Sequence, residues 1–180
     1  MYDIHFDHPV WVHFIGIGGI SMSGLAEILH DRGFKVSGSD MKASPLTEHL
    51  ESLGISVQFP QKSENIVPGI ELCVYTAAIS EDNPEFQEVK RQNIPMMSRA
   101  ELLGRIMKNY KEAINVSGTH GKTTTTSMIG EILMEAQMDP TITVGGMMKD
   151  IGGNLRVGKS DVFLAEACEY TNSFLSFFPT

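Results

Sequence analysis

Apolar and polar residues follow one another along the first 108 residues in the order of strand, turn and helix. Residues 11–15 are apolar and partly β-branched, and glycines then precede a helix-like stretch from 22 to 30. Further strands are predicted at 35–40, 55–58, 72–75 and 94–97. Proline at the first helical position marks two helix starts, Ser44-Pro45 and Asn83-Pro84. Ser98 and Glu101 have the spacing of a capping box. The alternation predicts an open parallel sheet of four or five strands.

A second series of elements begins near residue 113. An apolar run at 113–116 leads into a glycine-containing loop and a helical stretch that ends near residue 137. Two more strands are predicted, at 141–144 and 161–165. Gly145-Gly146 and Gly152-Gly153-Asn154 are interpreted as loops, and the alternative for the second is the lining of a substrate cleft. No helix follows to cover the last strand, although parallel sheets are normally covered on both faces. We therefore expect a fragment of a longer enzyme, with a domain boundary in the polar stretch 108–112.

Composition narrows the class of protein. The formal net charge of -8 and the absence of a basic patch argue against nucleic-acid binding. Cys73 and Cys168 lie far apart in apolar runs, which favours buried thiols over a disulfide. The sequence has no signal peptide and no apolar stretch of the roughly 20 residues that span a membrane. A soluble, cytoplasmic protein that does not bind membranes is expected, and its oligomeric state does not follow from the pattern.

The first candidate site is the glycine turn Gly16-Ile17-Gly18-Gly19-Ile20-Ser21, between the first strand and the first helix. Glycines allow a close approach of the backbone to a pyrophosphate, and the helix N-terminus attracts its charge. Asp40 ends the next strand, at the separation from which an acid can bind ribose hydroxyls. Ser21 stands where a third glycine is usual. The alternatives are a purely structural turn, a dinucleotide site and a nucleotide-sugar site.

The second candidate site is the sequence Gly118-Thr119-His120-Gly121-Lys122-Thr123-Thr124, again between strand and helix. It ends like a phosphate-binding loop, in which lysine reaches the terminal phosphates, loop amides cradle them and the threonine hydroxyl binds magnesium. The first glycine is two positions closer than usual. His120 is interpreted as a backbone-positioning residue. Glu166, at the end of a predicted strand, is the candidate acid for the magnesium ion, and Glu169 is a second candidate.

Two tandem nucleotide sites, the second reading Gly-Thr-His-Gly-Lys-Thr-Thr-Thr, resemble the Mur ligase family. Residues 13–26 are similar to the opening of its alanine-adding members. The similarity extends over further short motifs: Ser37-Gly38-Ser39-Asp40, Tyr75-Thr76-Ala77, Asn83-Pro84-Glu85, Ser98-Arg99-Ala100-Glu101 and Ala165-Glu166-Ala167-Cys168-Glu169. The resemblance implies a Rossmann-like domain at 1–108 that binds a UDP-sugar, and at 109–180 the truncated start of a central P-loop ATPase domain.

The resemblance also implies roles for individual residues. Gly16, Gly18, Gly19, Ile20 and Ser21 would hold the diphosphate, with Asp40, Thr76, Ala77, Ser98 and Arg99 near the nucleotide. Gly118, Thr119, His120, Gly121, Lys122, Thr123 and Thr124 would bind ATP. Lys122 and Glu166 would be catalytic, and Thr123 and Glu166 would coordinate Mg²⁺.

The activity that the resemblance implies is the ATP-dependent ligation of L-alanine to UDP-N-acetylmuramate through an acyl phosphate, in peptidoglycan biosynthesis. The fragment itself is expected to be inactive. Two alternatives remain: a Mur-type ligase that recycles muropeptides, and a regulatory module whose first domain senses NAD. The phosphate-binding loop argues against the second alternative.

Overall fold

The computed structural model of the chain describes residues 2–167 and 177–180. The chain divides into two compact units, Met1–Leu102 and Leu103–Thr180. In the described parts of the chain, no helix combines the length and the apolar character that a membrane span requires.

Strands and helices alternate up to residue 107, as the sequence predicts. In chain order the elements are β1 (Trp11–Ile15), α1 (Ile20–Asp31), β2 (Lys35–Ser39), α2 (Pro45–Ser52), β3 (Ser56–Gln58), β4 (Leu72–Tyr75), α3 (Pro84–Arg91), β5 (Met96–Ser98) and α4 (Arg99–Met107). A 3-10 turn at Ser63–Asn65 lies between β3 and β4.

The five strands form one parallel sheet in the order β3-β2-β1-β4-β5. The predicted Rossmann-like sheet is therefore confirmed. The chain passes from β3 across the sheet to β4, so the two halves meet between β1 and β4. In sheets of this kind ligands bind at the carboxyl ends of the strands, next to such a switch point.

Local sequence signals fix the helix starts. The side chains of Ser44 and Asn83 cap α2 and α3, and proline follows each cap. The predicted capping box at α4 is formed, because the Ser98 N–H donates to Glu101 Oε2 at 2.7 Å and the Glu101 N–H donates to Ser98 Oγ at 3.3 Å. Gly19 is the N-cap of α1, which begins at Ile20 and has no side-chain cap.

The second unit contains one more strand than the sequence indicated. Its elements are β6 (Glu112–Val116), α5 (Lys122–Glu135), β7 (Thr141–Met148), β8 (Gly153–Arg156) and β9 (Val162–Glu166), in a sheet of order β6-β9-β7-β8. β8 is antiparallel to β7. The prediction of a loop was wrong for Gly145-Gly146, which lie inside β7. It was right for Gly152, which takes a left-handed turn conformation, and wrong for Gly153, which begins β8. Glycine makes a weak strand pattern, and here sheet pairing overrides it.

Apolar side chains of the strands fill the space beneath the helices. Val12, Phe14, Leu72 and Val74 are all wholly buried in the first sheet. In the second sheet, Ile142 and Leu164 pack in one cluster with Val144 and Met148. Cys73 is a buried free thiol, as predicted, whereas Cys168 lies outside the described residues.

Gly38 in β2 marks the tightest contact below the first glycine turn. A methyl group added there would lie 2.6 Å from Ile17 Cδ1 and 2.8 Å from the Phe14 carbonyl oxygen. We expect Gly38→Ala to lower the free energy of unfolding by about 1–3 kcal/mol, since the backbone must move to admit the methyl group. Urea titration followed by the fluorescence of Trp11, the single tryptophan, measures this in the first unit.

Gly19→Ala is the matched control for this variant. Its added methyl group would meet nothing closer than 3.6 Å. The free energy of unfolding should therefore change only by the small difference between glycine and alanine as a helix cap. Equal losses in the two variants would contradict the packing argument.

Candidate functional site

The residues of the first predicted site lie at one edge of the first sheet. The turn Gly16–Ser21 follows β1, Asp40 follows β2, Thr76-Ala77 follow β4, and Ser98-Arg99 join β5 to α4. Thr76 lies directly beside the turn, since a methyl group built on Gly16 would come within 2.9 Å of its Cγ2. The parallel strands thus bring these separate segments to the carboxyl edge near the switch point.

The glycine turn is held by hydrogen bonds to the end of β2. The N–H groups of Gly16 and Ile17 both donate to the Ser39 carbonyl oxygen, each at 2.9 Å. The Gly18 N–H donates to Asp40 Oδ2 at 2.8 Å. These three amides are therefore used to shape the turn and are not available to an anion.

Among the described residues, backbone amides without a hydrogen-bond acceptor begin at Ile20, two residues after Gly18. The Gly19 N–H closes the turn onto the Gly16 carbonyl oxygen at 3.3 Å. The N–H groups of Ile20, Ser21 and Met22 donate to no acceptor in the described part of the chain. The first-turn amides of a helix have no intrahelical acceptor and attract anions. The donors that the structure offers to a diphosphate are thus those of the first turn of α1.

Asp40 and Ser98, which are predicted to lie near the nucleotide, also form hydrogen bonds within the protein. Asp40 accepts the N–H of Met41 at 2.7 Å through Oδ1, in addition to that of Gly18 through Oδ2. The Ser98 hydroxyl donates to Glu101 Oε2 at 2.8 Å as part of its capping box. Only the remaining lone pairs of Asp40 could accept a ribose hydroxyl, so its first role in this structure is to shape the turn.

The second predicted site is a loop between β6 and α5. Gly121 takes a left-handed conformation with φ of 80° at the N-cap, and Lys122 is the first helical residue. The ammonium group of Lys122 donates back to the Gly118 carbonyl oxygen at 2.5 Å. Among the described residues, none accepts a hydrogen bond from the backbone N–H groups of five positions: Gly118, Thr119, Gly121, Thr123 and Thr124. Unlike the first turn, this loop leaves these five amides without an acceptor in the described part of the chain.

Thr123 and Glu166, predicted from opposite ends of the second unit, are brought together. The Thr123 hydroxyl donates to Glu166 Oε2 at 2.9 Å. The Gly145 N–H donates to the same oxygen at 2.8 Å. A hydroxyl and a carboxylate are oxygen ligands of the kind that Mg²⁺ prefers, so the pair fits a magnesium ion beside the loop. Glu169 lies outside the described residues.

Gly145 and Gly146 are site residues that the sequence argument missed. A methyl group on Gly145 would lie 3.1 Å from Glu166 Oε2, and one on Gly146 would lie 3.2 Å from Thr123 Cγ2. These glycines let β7 pass close to both side chains. Glycine inside a strand often marks such an approach, and that signal was present in the sequence.

Comparison with known proteins decides the family. Residues 11–111 match the profile described as "Mur ligase family, catalytic domain", and residues 116–175 match the "Mur ligase middle domain". The chain belongs to the Mur ligase family. The resemblance in the sequence motifs is thereby confirmed.

The curated relatives of this Mur ligase chain include two proteins named UDP-N-acetylmuramate–L-alanine ligase. That of Agathobacter rectalis is 64% identical over 179 residues, and that of Lachnospira eligens is 63% identical over 180 residues. The alignments cover 99% and 100% of this chain. The chain spans 39% of the length of each relative.

Solved structures of two ligases share the fold. The UDP-N-acetylmuramate–alanine ligase of Thermotoga maritima aligns with a TM-score of 0.85 at 33% identity, over 94% of this chain and 40% of that one. The UDP-N-acetylmuramate:L-alanyl-γ-D-glutamyl-meso-diaminopimelate ligase of Neisseria meningitides aligns with a TM-score of 0.81 at 30% identity, over 91% of this chain and 54% of that one.

A buried polar cluster lies below the first glycine turn of the Mur ligase chain. His13, in β1, is 1% exposed. The Trp11 indole N–H donates to Ser37 Oγ at 2.9 Å, and this oxygen lies 2.9 Å from His13 Nδ1. In the tautomer that carries its proton on Nε2, Nδ1 accepts a hydrogen bond from the Ser37 hydroxyl. Nε2 lies 4.0 Å from Oε2 of Glu85, which is wholly buried.

Burial changes the pKa of both ionisable groups of the cluster, His13 and Glu85. It lowers the pKa of His13 to about 4. It raises the pKa of Glu85, while hydrogen bonds from Ser39, Asn65 and the Lys62 backbone act in the opposite direction. The cluster therefore favours an uncharged imidazole at His13, next to a carboxyl group at Glu85 that accepts several hydrogen bonds.

We expect His13 to stay uncharged, with its proton on Nε2, from about pH 8 down to about pH 5, because burial disfavours the imidazolium. Long-range ¹H–¹⁵N NMR spectra report the charge and the tautomer, and His13→Gln assigns the signals. The unfolded chain takes up this proton near pH 6.5 and the folded chain near pH 4. The stabilisation that His13 contributes is therefore complete above pH 6.5 and is lost as the pH falls towards 4. A midpoint near the unfolded value would contradict the assignment.

Proposed function

We propose that this chain forms the UDP-sugar-binding part and the beginning of the ATP-binding part of a ligase that joins L-alanine to UDP-N-acetylmuramate. The observation that carries the ATP site is the Thr123–Glu166 contact of 2.9 Å, beside a loop in which five amides have no acceptor among the described residues. The choice of L-alanine is supported by the names of the relatives at 64% and 63% identity. Because the chain spans 39% of their length, the complete activity requires residues beyond it.

In this proposal the first unit, Met1–Leu102, binds the uridine diphosphate group. The amides of Ile20, Ser21 and Met22 donate to the diphosphate, since they lie at a helix N-terminus and have no partner among the described residues. Gly16, Gly18 and Gly19 shape the turn. Thr76, Ala77, Ser98 and Arg99 lie along the same sheet edge and border the nucleotide, with Asp40 close to the ribose.

In the same proposal the loop from Gly118 to Thr124 binds the phosphates of ATP. Its backbone amides donate to phosphate oxygens, and His120 holds the backbone between the two glycines. Lys122 exchanges its bond with the Gly118 carbonyl oxygen for one with a phosphate. Thr123 and Glu166 hold a magnesium ion, which would neutralise part of the charge on the transferred phosphoryl group.

The proposed reaction overcomes the low electrophilicity of a carboxylate. An oxygen of the lactyl carboxylate of the sugar bonds to the γ-phosphorus of ATP, and the bond to ADP breaks. The amine of L-alanine then attacks the carbonyl carbon of the acyl phosphate, and inorganic phosphate leaves. Lys122 compensates negative charge on the phosphoryl oxygens in the first step. We assign the reaction to cytoplasmic peptidoglycan biosynthesis, and thereby to cell shape and cell division.

A ligase that recycles muropeptides is the second candidate, because the Neisseria meningitides structure has nearly the same TM-score, 0.81, as the Thermotoga maritima one, 0.85. The two candidates share UDP-N-acetylmuramate-type recognition and differ in the acceptor. In the full-length protein, competition between L-alanine and a tripeptide distinguishes them, and preferential use of the tripeptide would reject the alanine assignment.

The first prediction from this proposal concerns the uridine nucleotide. We expect UDP-N-acetylmuramate and UDP to bind the 180-residue chain in isothermal titration calorimetry, whereas NADH does not. A binding preference for NADH would instead favour a nicotinamide-sensing module. No binding of either uridine compound to the folded chain would reject the role of the first unit.

The second prediction concerns magnesium and the loop. We expect Mg·ATP to shift the ¹H–¹⁵N NMR signals of the loop amides. Thr123→Ala should weaken this binding about tenfold, since one oxygen that binds the metal and orients Glu166 is lost. In the presence of EDTA, the variant and the parent chain should bind ATP equally.

Thr125→Ala is the matched control, because Thr125 is an exposed threonine on the same helix. Its affinity for Mg·ATP should equal that of the parent chain. An unchanged affinity in Thr123→Ala, or a loss in Thr125→Ala of the same size, would contradict the proposed magnesium site.

A further inference from the structure

Glu85 is an ionisable residue in a buried position, where desolvation disfavours its charged form. It lies in the first turn of α3, within the Asn83-Pro84-Glu85 motif, and its side chain is wholly buried. Carboxyl groups are rarely buried unless several donors satisfy them, because desolvation disfavours their charged form. None of the proposed binding or catalytic steps uses this residue.

Three donors converge on the Glu85 carboxyl group. The Ser39 hydroxyl donates to Oε2 in a short hydrogen bond. Asn65 Nδ2 donates to Oε1 at 2.5 Å and also to the Pro60 carbonyl oxygen at 3.1 Å. The backbone N–H of Lys62 is the third donor. Glu85 therefore ties the end of β2 to the segment that follows β3.

The residue that Glu85 holds is the one that shapes the glycine turn. Ser39 pairs with Ile15 in the sheet, and its carbonyl oxygen accepts the N–H groups of both Gly16 and Ile17 at 2.9 Å. A displacement of Ser39 would move this carbonyl oxygen. The turn would then lose its present orientation, and with it the start of α1, where the N–H groups of Ile20, Ser21 and Met22 have no acceptor among the described residues.

We propose that Glu85 is a positioning residue for diphosphate recognition, acting through the Ser39 hydroxyl and carbonyl on the glycine turn. This inference rests on the proposed function of the first unit. A merely structural role would predict a general loss of stability instead. The two roles differ in whether the effect of a substitution is concentrated at the turn.

The first test needs no ligand. Hydrogen exchange measured by NMR compares the amides of Gly16 and Ile17 with that of Ile28, in the middle of α1. In Ser39→Ala, the mild variant, and in Glu85→Ala, the turn amides should exchange about tenfold faster relative to Ile28, the effect of losing a buried hydrogen bond that supports them. Glu85→Gln keeps an acceptor for the Ser39 hydroxyl and should show a smaller increase.

Val89→Ala is the matched control, since Val89 lies one turn further along α3 and is wholly buried but contacts the apolar cluster of Ile15, Cys73 and Phe86. Its loss of packing should accelerate exchange at Ile28 and at the turn by the same factor. A uniform acceleration in Ser39→Ala as well would overturn the inference.

The second test measures UDP affinity by calorimetry. Ser39→Ala and Glu85→Ala should each weaken UDP binding about tenfold, and the double variant should bind no worse than Glu85→Ala, because both changes break one connection. Additive losses would overturn the proposal, as would normal affinity in both single variants. If the parent chain does not bind UDP, the proposed function fails, and the exchange measurement alone decides whether Glu85 positions the turn.

Discussion

All five strands of the first sheet run in the same direction, and this constraint organises the candidate nucleotide site. Parallel strands present their carboxyl ends at a common edge, so four segments that are distant in sequence arrive there together. The reversal of strand order between β1 and β4 separates the helices at that edge and leaves the turn next to Thr76. The sheet thus supplies the location, and the side chains at the strand ends supply its chemistry.

The two glycine loops use their backbone amides in opposite ways. The amides of the first loop donate to the Ser39 carbonyl oxygen, the Asp40 carboxylate and the Gly16 carbonyl oxygen. These bonds fix the turn that leads into the first turn of α1. In the second loop five amides are not bonded to the described residues, and the Lys122 side chain bridges the loop by donating to the Gly118 carbonyl oxygen. Under the proposed function, the first arrangement suits a substrate that stays bound throughout the reaction, and the second suits a phosphate chain to which Lys122 transfers its bond.

Much of the fold could be predicted from local signals alone. Proline after Ser44 and Asn83, the reciprocal capping of Ser98 and Glu101, and short apolar runs each act within a few residues, so their effects are visible in the sequence. The proximity of Thr123 and Glu166 followed from the general rule that an acid at a strand end faces a phosphate-binding loop.

Other features depend on contacts between distant residues and were therefore missed. β8 forms by pairing with β7 and has a weak pattern of its own. The buried state of His13 depends on Ser37 and Glu85, which are 24 and 72 positions away in the chain. The bonding of Asp40 to the Gly18 amide likewise could not be distinguished from a ribose contact, because the same acid at the same spacing serves either role.

The shared oxygen of Glu166 has a consequence for how an ion would arrive. Oε2 already accepts two hydrogen bonds, one from the Thr123 hydroxyl and one from the Gly145 backbone N–H. A cation that takes this oxygen enters by exchanging partners, and the Gly145 amide must then turn to another acceptor or share the carboxylate. The net affinity for the ion is therefore the difference in free energy between two states: Glu166 bonded to the Thr123 hydroxyl and the Gly145 amide, and Glu166 bonded to the ion. Occupancy of the ion site would be transmitted to the middle of β7 through a single main-chain group.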